Sequence, residues 1–203
     1  PDDSEGTLPQ RRHSHFVGAL DKWTREQGAA IAPWKVLEPV GWHTNLPLLE
    51  VQSDGSIFAS GDFTKRDEYT ITLQNKDRSK PITALRLEAL PDDRLPAGGP
   101  GRAYYEGRKG DFFLSEITVR ANGNISLFRS ASRSYGKIAV GRGDAEAKNV
   151  FDGDGSTGWS TAHREGERHV LVLNFAEPLT AEQLEVHMLF ERHFVAALGR
   201  FRF

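Results

Sequence analysis

The stretch FDGDGSTGW, residues 151–159, concentrates oxygen donors: two aspartates, a serine and a threonine, spaced by three glycines and closed by a tryptophan. Two chemistries suit it. Asp-Gly steps make tight turns, because glycine accepts positive φ and aspartate bonds its own backbone. The same loop can instead wrap a cation, since Ca2+ takes about six to eight hard oxygens from carboxylates, carbonyls and hydroxyls. Asp152, Asp154 and Thr157 supply side-chain oxygens at close spacing. The spacing is not that of an EF-hand, which closes on its own glutamate, so a closing carboxylate must come from elsewhere.

A second set of residues suits ligand stacking. Sugars are held by aromatic faces against their CH-rich surfaces, with polar groups satisfying the hydroxyls. Trp42 and His43 in VGWHTN, and Arg102, Tyr104 and Tyr105 in GPGRAYYEG, are the candidates, all read as loop residues. GGPGR cannot continue a strand, so Arg102 and the two tyrosines are expected on an exposed loop. The Arg102 fork would fit two oxygens of an acidic or sulfated sugar. The competing reading of Trp42 is a rim residue packed under a neighbouring loop. Trp159 is expected in the core behind the oxygen-rich loop, and Trp23 and Trp34 in packing roles.

Catalytic sets are scarce. G-x-S-x-G, H-E-x-x-H and the phosphate-loop signature are absent, and no helix follows GGPGR to hold a phosphate. The seven histidines are scattered. Asp111 and Glu116 can be drawn as an acid–base pair, but spacing alone does not bring them together. With no cysteine, disulfides, thiolate metal sites and covalent haem attachment are excluded. A formal charge of −2 offers no basic excess for nucleic acid. No apolar run approaches the length of a membrane helix.

These residues need a scaffold, and 203 residues can build a substantial core. Residues 1–13 read as a frayed polar segment, and 14–28 as a helix lying against the remainder. In that helix Ser14 is the cap, Gly28 the stop, and Phe16, Leu20 and Trp23 form the apolar stripe. From 29 to 203 the texture is short alternating runs and turns. WKVLEPV, PLLEVQ, SIFASG, EYTITLQ, ITALRLEAL, FFLSEITV, ISLFRSAS, HVLVLNF, QLEVHMLF and ALGRFRF all predict strands. ITALRLEAL alternates imperfectly, but prolines bracket it at strand length. The class is therefore all-β, a jelly-roll or galactose-binding-like β-sandwich with one N-terminal helix. The start at Pro1 and the end inside the strand-like GRFRF point to a piece of a longer protein.

The loop AKNVFDGDGSTGWST resembles the opening loop of discoidin-type, galactose-binding-like domains, A-x-N-x-x-D-G-x-x-x-T-x-W. Ala147, Asn149, Asp152, Gly153, Thr157 and Trp159 match it. In carbohydrate-binding modules of that family the loop holds a structural Ca2+, and a Glu in a late L-x-E-I-x-V strand closes the shell. FFLSEITV resembles that strand, with Glu116 in the Glu position. RSASRSYGKIAV is similar to the family's first strand and turn. In the family the L-x-E-I-x-V strand follows the loop; in this sequence it precedes it, as in a circular permutation. Such a change is compatible with termini that lie close together. The order of motifs from DGSIFASG to LGRFRF also resembles a β-rich region of large planctomycete cytochrome-c-type proteins. That resemblance implies an exported, periplasmic or surface setting, without haem in this segment.

Together these readings favour a non-catalytic glycan-binding module with one Ca2+ held by Asp152, Thr157, Glu116 and, ranked last, Asp154. The alternatives are a structural domain that docks other domains of its parent, and a glycan-active enzyme.

Overall fold

The computed structural model describes residues 7–27, 33–105, 107–139, 145–192 and 196–203. The chain divides into two units, Pro1–Lys35 and Val36–Phe203. In the first, helix α1 spans Leu8–Gln27 and starts well before the Ser14 cap predicted for it. The cause is the tetrapeptide TLPQ. Thr7 donates its backbone N–H (2.8 Å) and its hydroxyl (3.0 Å) to the Gln10 side-chain oxygen. That is half of a capping box, and Pro9 sits in the first turn, where an N–H has no helical partner to lose. Residues 8–13 are thus helical rather than frayed, while residues 1–6 and the expected stop at Gly28 lie outside the described residues. Phe16, Leu20 and Trp23 keep their helical spacing and are exposed.

The second unit is an all-β sandwich of two antiparallel sheets. The first sheet runs β1 (Glu38–Thr44), β4 (Asp67–Gln74), β10 (Gln183–Phe190), β6 (Glu116–Ala121), β7 (Asn124–Ser126). The second runs β2 (Leu48–Val51), β3 (Ile57–Ser60), β11 (Arg200–Arg202), β5 (Ile82–Ala89), β9 (His169–Leu179), β8 (Phe128–Arg133). Period-two patterning makes these strands: DEYTITLQ in β4 alternates buried and half-buried throughout. Its Tyr69, Ile71 and Leu73 join Ile117, Val119, Val186 and Met188, and meet Leu85, Leu87, Leu171, Leu173 and Phe201 of the other sheet in one core. The imperfect alternation of ITALRLEAL has a local cause, a register shift between Ile82 and Ala84 against β9.

Two segments differ from the sequence reading. The strand expected in WKVLEPV lies later, at Glu38–Thr44, with a register shift between Pro39 and Gly41. An edge strand tolerates proline there, because the missing N–H can face away from its neighbour. The run ISLFRSAS is two strands: β7 pairs with β6, whereas β8 pairs with β9 in the opposite sheet. Between β5 and β6, and between β8 and β9, long connections carry the candidate residues.

Candidate metal centre and aromatic surface

The 3-10 turn Ala147–Phe151 opens the oxygen-rich loop and is anchored by buried Ala147 and Val150. Trp159 anchors the other end. It is fully buried, stands edge-on to Phe112, and donates its indole N–H to the Tyr135 carbonyl at 2.8 Å. Between these anchors the chain must reverse tightly, and Gly153 does so at φ 81°. The Asp152 Oδ1 and Asp154 Oδ1 atoms each accept the backbone N–H two residues on, both at 2.9 Å. These are paired Asx turns.

The result is a crowd of acceptors around one hydroxyl. Thr157 Oγ1 lies 2.7 Å from Asp152 Oδ2, 3.0 Å from the Asp154 carbonyl and 3.4 Å from the Asn149 carbonyl. A hydroxyl has a single proton and cannot satisfy three acceptors. Glu116, at the start of β6, reaches the same place and accepts the Gly153 N–H at 2.9 Å. Partial burial, then the Asp152 charge beside it, push the Glu116 carboxyl up to about 7. The loop therefore brings Glu116, Asp152 and Thr157 together, with two main-chain carbonyls among them. Asp154 enters only through its carbonyl, because its carboxylate caps the Ser156 N–H and hydroxyl, which hold it below its ordinary range. Among the described residues no three His, Cys, Asp or Glu side chains converge. Among the described residues the set is two carboxylates, a hydroxyl and carbonyls, with no nitrogen or sulfur donor, which suits a hard cation such as Ca2+.

Two residues that the sequence reading missed brace the loop from the end of β10. The Glu191 carboxylate occupies the space over Gly155, where any Cβ would overlap it. Arg192 donates to the Ser156 carbonyl at 2.6 Å. Glycine at 155 was the available hint, since a turn alone demanded positive φ only at 153.

Of the stacking candidates, Tyr104 and Tyr105 are exposed, at 52% and 72%, and stand edge to face with centroids 5.1 Å apart. Lys109 lies over the Tyr104 ring at 4.8 Å. Arg102 is a correction: it is buried, and its guanidinium donates to the Gly61 and Asp62 carbonyls. With the loop's main chain bridged to Ala197 beside it, Arg102 points into the protein and not toward a ligand. Trp42 and His43 are also corrected, from loop to strand β1, where His43 sits opposite Thr70. Both are exposed, and among the described residues no ring contact joins them to the tyrosines.

Asp111 and Glu116 do not form an acid–base pair, since each has its own neighbours. Asp111 is buried and faces Ser160 Oγ at 2.9 Å and the Thr161 N–H at 3.3 Å. Burial is the main cause that lifts its carboxyl to about 7. Ser160 Oγ also lies 2.7 Å from the Lys137 carbonyl. Its one proton is therefore shared between that carbonyl and the Asp111 carboxyl. Among the described residues no helix is long and apolar enough to cross a membrane. No protein family, curated protein or solved structure matches this chain.

Proposed function

We propose that this chain is a non-catalytic glycan-binding module braced by one structural Ca2+. The observation that carries the metal is the convergence on Thr157 Oγ1 of Asp152 Oδ2 and two carbonyls, with Glu116 alongside. Ca2+ would take these oxygens and neutralise the Glu116–Asp152 repulsion, fixing the loop to β6. An exported setting suits such a site, since extracellular calcium modules bind in the range of about 10^-4 to 10^-3 M. The exposed tyrosine pair supports a glycan ligand, because two large rings that touch each other and Lys109 while staying in water offer stacking surface. A glycan array with the intact chain tests this, followed by Tyr104→Ala and Tyr105→Ala. Loss of a stacking ring should cost on the order of 1 kcal/mol of binding with an unchanged melting temperature. A screen without hits would reject the glycan reading and leave the metal reading intact.

A second reading has its own observation. Val36, Val40, Trp42, Leu46 and Leu48 are exposed along the β1–β2 border. Such a run suits a protein-docking edge of a larger parent. Concentration-dependent association reduced by Trp42→Ser would favour that role.

A further inference from the structure

Four cations stand on the connection between β5 and β6: Arg94, Arg102, Arg108 and Lys109. Three are committed. Arg94 pairs with Asp92 at 2.7 Å, Arg102 with the Gly61 and Asp62 carbonyls, and Arg108 with both oxygens of Glu165 at 2.6 and 3.1 Å. Lys109 is exposed and, among the described residues, has only the Tyr104 ring as a partner. A ring face holds an ammonium in place without occupying its three N–H donors. Lys109 is thus pre-positioned beside the tyrosine pair with its hydrogen-bonding capacity free. The two rings then differ in what they offer. Tyr104 already carries the lysine, and Tyr105, perpendicular to it and more exposed, has the open face.

We infer that this surface takes an anionic saccharide, with the Tyr105 ring under the sugar and Lys109 paired to its carboxylate or sulfate. The inference rests on the glycan reading and deepens it. It also moves the anion contact from Arg102, which is buried, to a cation the sequence did not single out. Tyr104 is a positioning residue, acting through Lys109.

The test is affinity electrophoresis and calorimetry of the intact chain with polygalacturonate, a sulfated galactan and neutral galactan. Each is run at low and high salt, with melting temperature as the folding control. The expected result is binding to the anionic polymers, weakened by salt. Lys109→Gln should reduce it roughly fivefold, the scale of one exposed charge contact. Lys109→Arg should restore it, and Tyr105→Ala should weaken it with no change in melting temperature. Equal binding to neutral galactan, insensitive to Lys109→Gln, would overturn the inference and leave the glycan reading standing. Salt-sensitive anionic binding that Lys109→Gln does not change would also overturn it. No binding to any of the polymers would reject both.

Discussion

Two carboxyls in this molecule are lifted to about 7, Asp111 and Glu116, and they reach that state in opposite surroundings. Asp111 is sealed among donors: the Thr161 N–H, the Phe112 N–H and the Ser160 hydroxyl, with no second carboxylate bonded to it. Glu116 is half-buried beside a second carboxylate, Asp152, and accepts the Gly153 N–H; Asp152 in turn shares the Thr157 hydroxyl with the Asn149 and Asp154 carbonyls. A lone buried acid resolves its desolvation by keeping a proton. A pair of acids among carbonyls needs more positive charge than one proton supplies. On the proposed calcium reading, the same shift marks a structural anchor in one place and a cation site in the other. A raised carboxyl is read by counting the donors and acceptors around it.

The sharpest way to break this contrast is to remove the metal. With calcium at a hundredfold excess over its dissociation constant, binding adds about 2.7 kcal/mol to stability. For a domain of this size that corresponds to roughly 5–10 °C. Chelation should lower the melting temperature by that amount in the native chain. Asp152→Ala should lower the starting value and abolish the response to chelator, since it removes a ligand and leaves Glu116 without its partner. An unchanged melting temperature on chelation would make both sites proton-settled, and the loop a plain Asx turn.

The second effect is in the pH dependence of the metal-free protein. Both carboxyls are raised above their ordinary values, 3.8 for Asp111 and 4.5 for Glu116, so the folded state holds protons that the unfolded chain releases. Their contribution is complete below those ordinary values and is lost as pH rises toward 7. The metal-free melting temperature should therefore fall over that interval. Saturating Ca2+ should reverse the Glu116 part, because the metal requires the ionised carboxylate and binds more weakly as pH drops below 7. Melting curves at several pH values, with calcium and with chelator, check this. Parallel curves would show that the two carboxyls are not resolved differently.

Much of the scaffold is legible in the sequence, and its failures are instructive. Strand periodicity survives in β4, in β10 and in β9 up to Phe175, because there one face is buried. It misleads where the chain changes sheets, as at Leu127 between β7 and β8, since a crossing keeps the same residue types on both sides. The start of α1 was readable from the TLPQ box, but the apolar stripe drew attention to Ser14 instead. At the site, the grouping of Glu116 with Asp152 and Thr157 followed from matching motifs, although they are far apart in the chain. Local composition could not reveal that Arg102 turns inward. Its acceptors are backbone carbonyls at 61 and 62, and carbonyls leave no mark on a sequence.

A third effect is smaller and isolates the proton-settled site. Asp111→Asn keeps an acceptor for the Thr161 and Phe112 N–H groups at nearly the same volume and removes the titrating carboxyl. It should leave the fold intact and flatten the part of the pH dependence that persists under saturating Ca2+. Asp111→Ala removes those partners from buried N–H groups and should cost about 1–3 kcal/mol. If the asparagine variant instead loses calcium binding, the two sites are one coupled network and the contrast fails.

The smallest effect separates the two aspartates of the loop itself. Asp152 and Asp154 are two residues apart and each caps the backbone N–H two residues on. Motif matching ranks Asp154 last, but spacing alone does not say what sets the two apart. The structure does: Asp152 keeps Oδ2 beside Thr157, whereas the Asp154 carboxylate is turned out to Ser156 and its carbonyl turned in. Asp154→Ala deletes two exposed turn hydrogen bonds, from the Ser156 N–H and hydroxyl, and should move the melting temperature by about 1–2 °C. The backbone carbonyl survives the substitution, so calcium affinity should stay nearly native, in contrast with Asp152→Ala. Calorimetric titration of both variants measures the difference directly. If Asp154→Ala lost calcium as Asp152→Ala does, the metal would be held by side chains of both aspartates. The inward carbonyl would then not be a ligand.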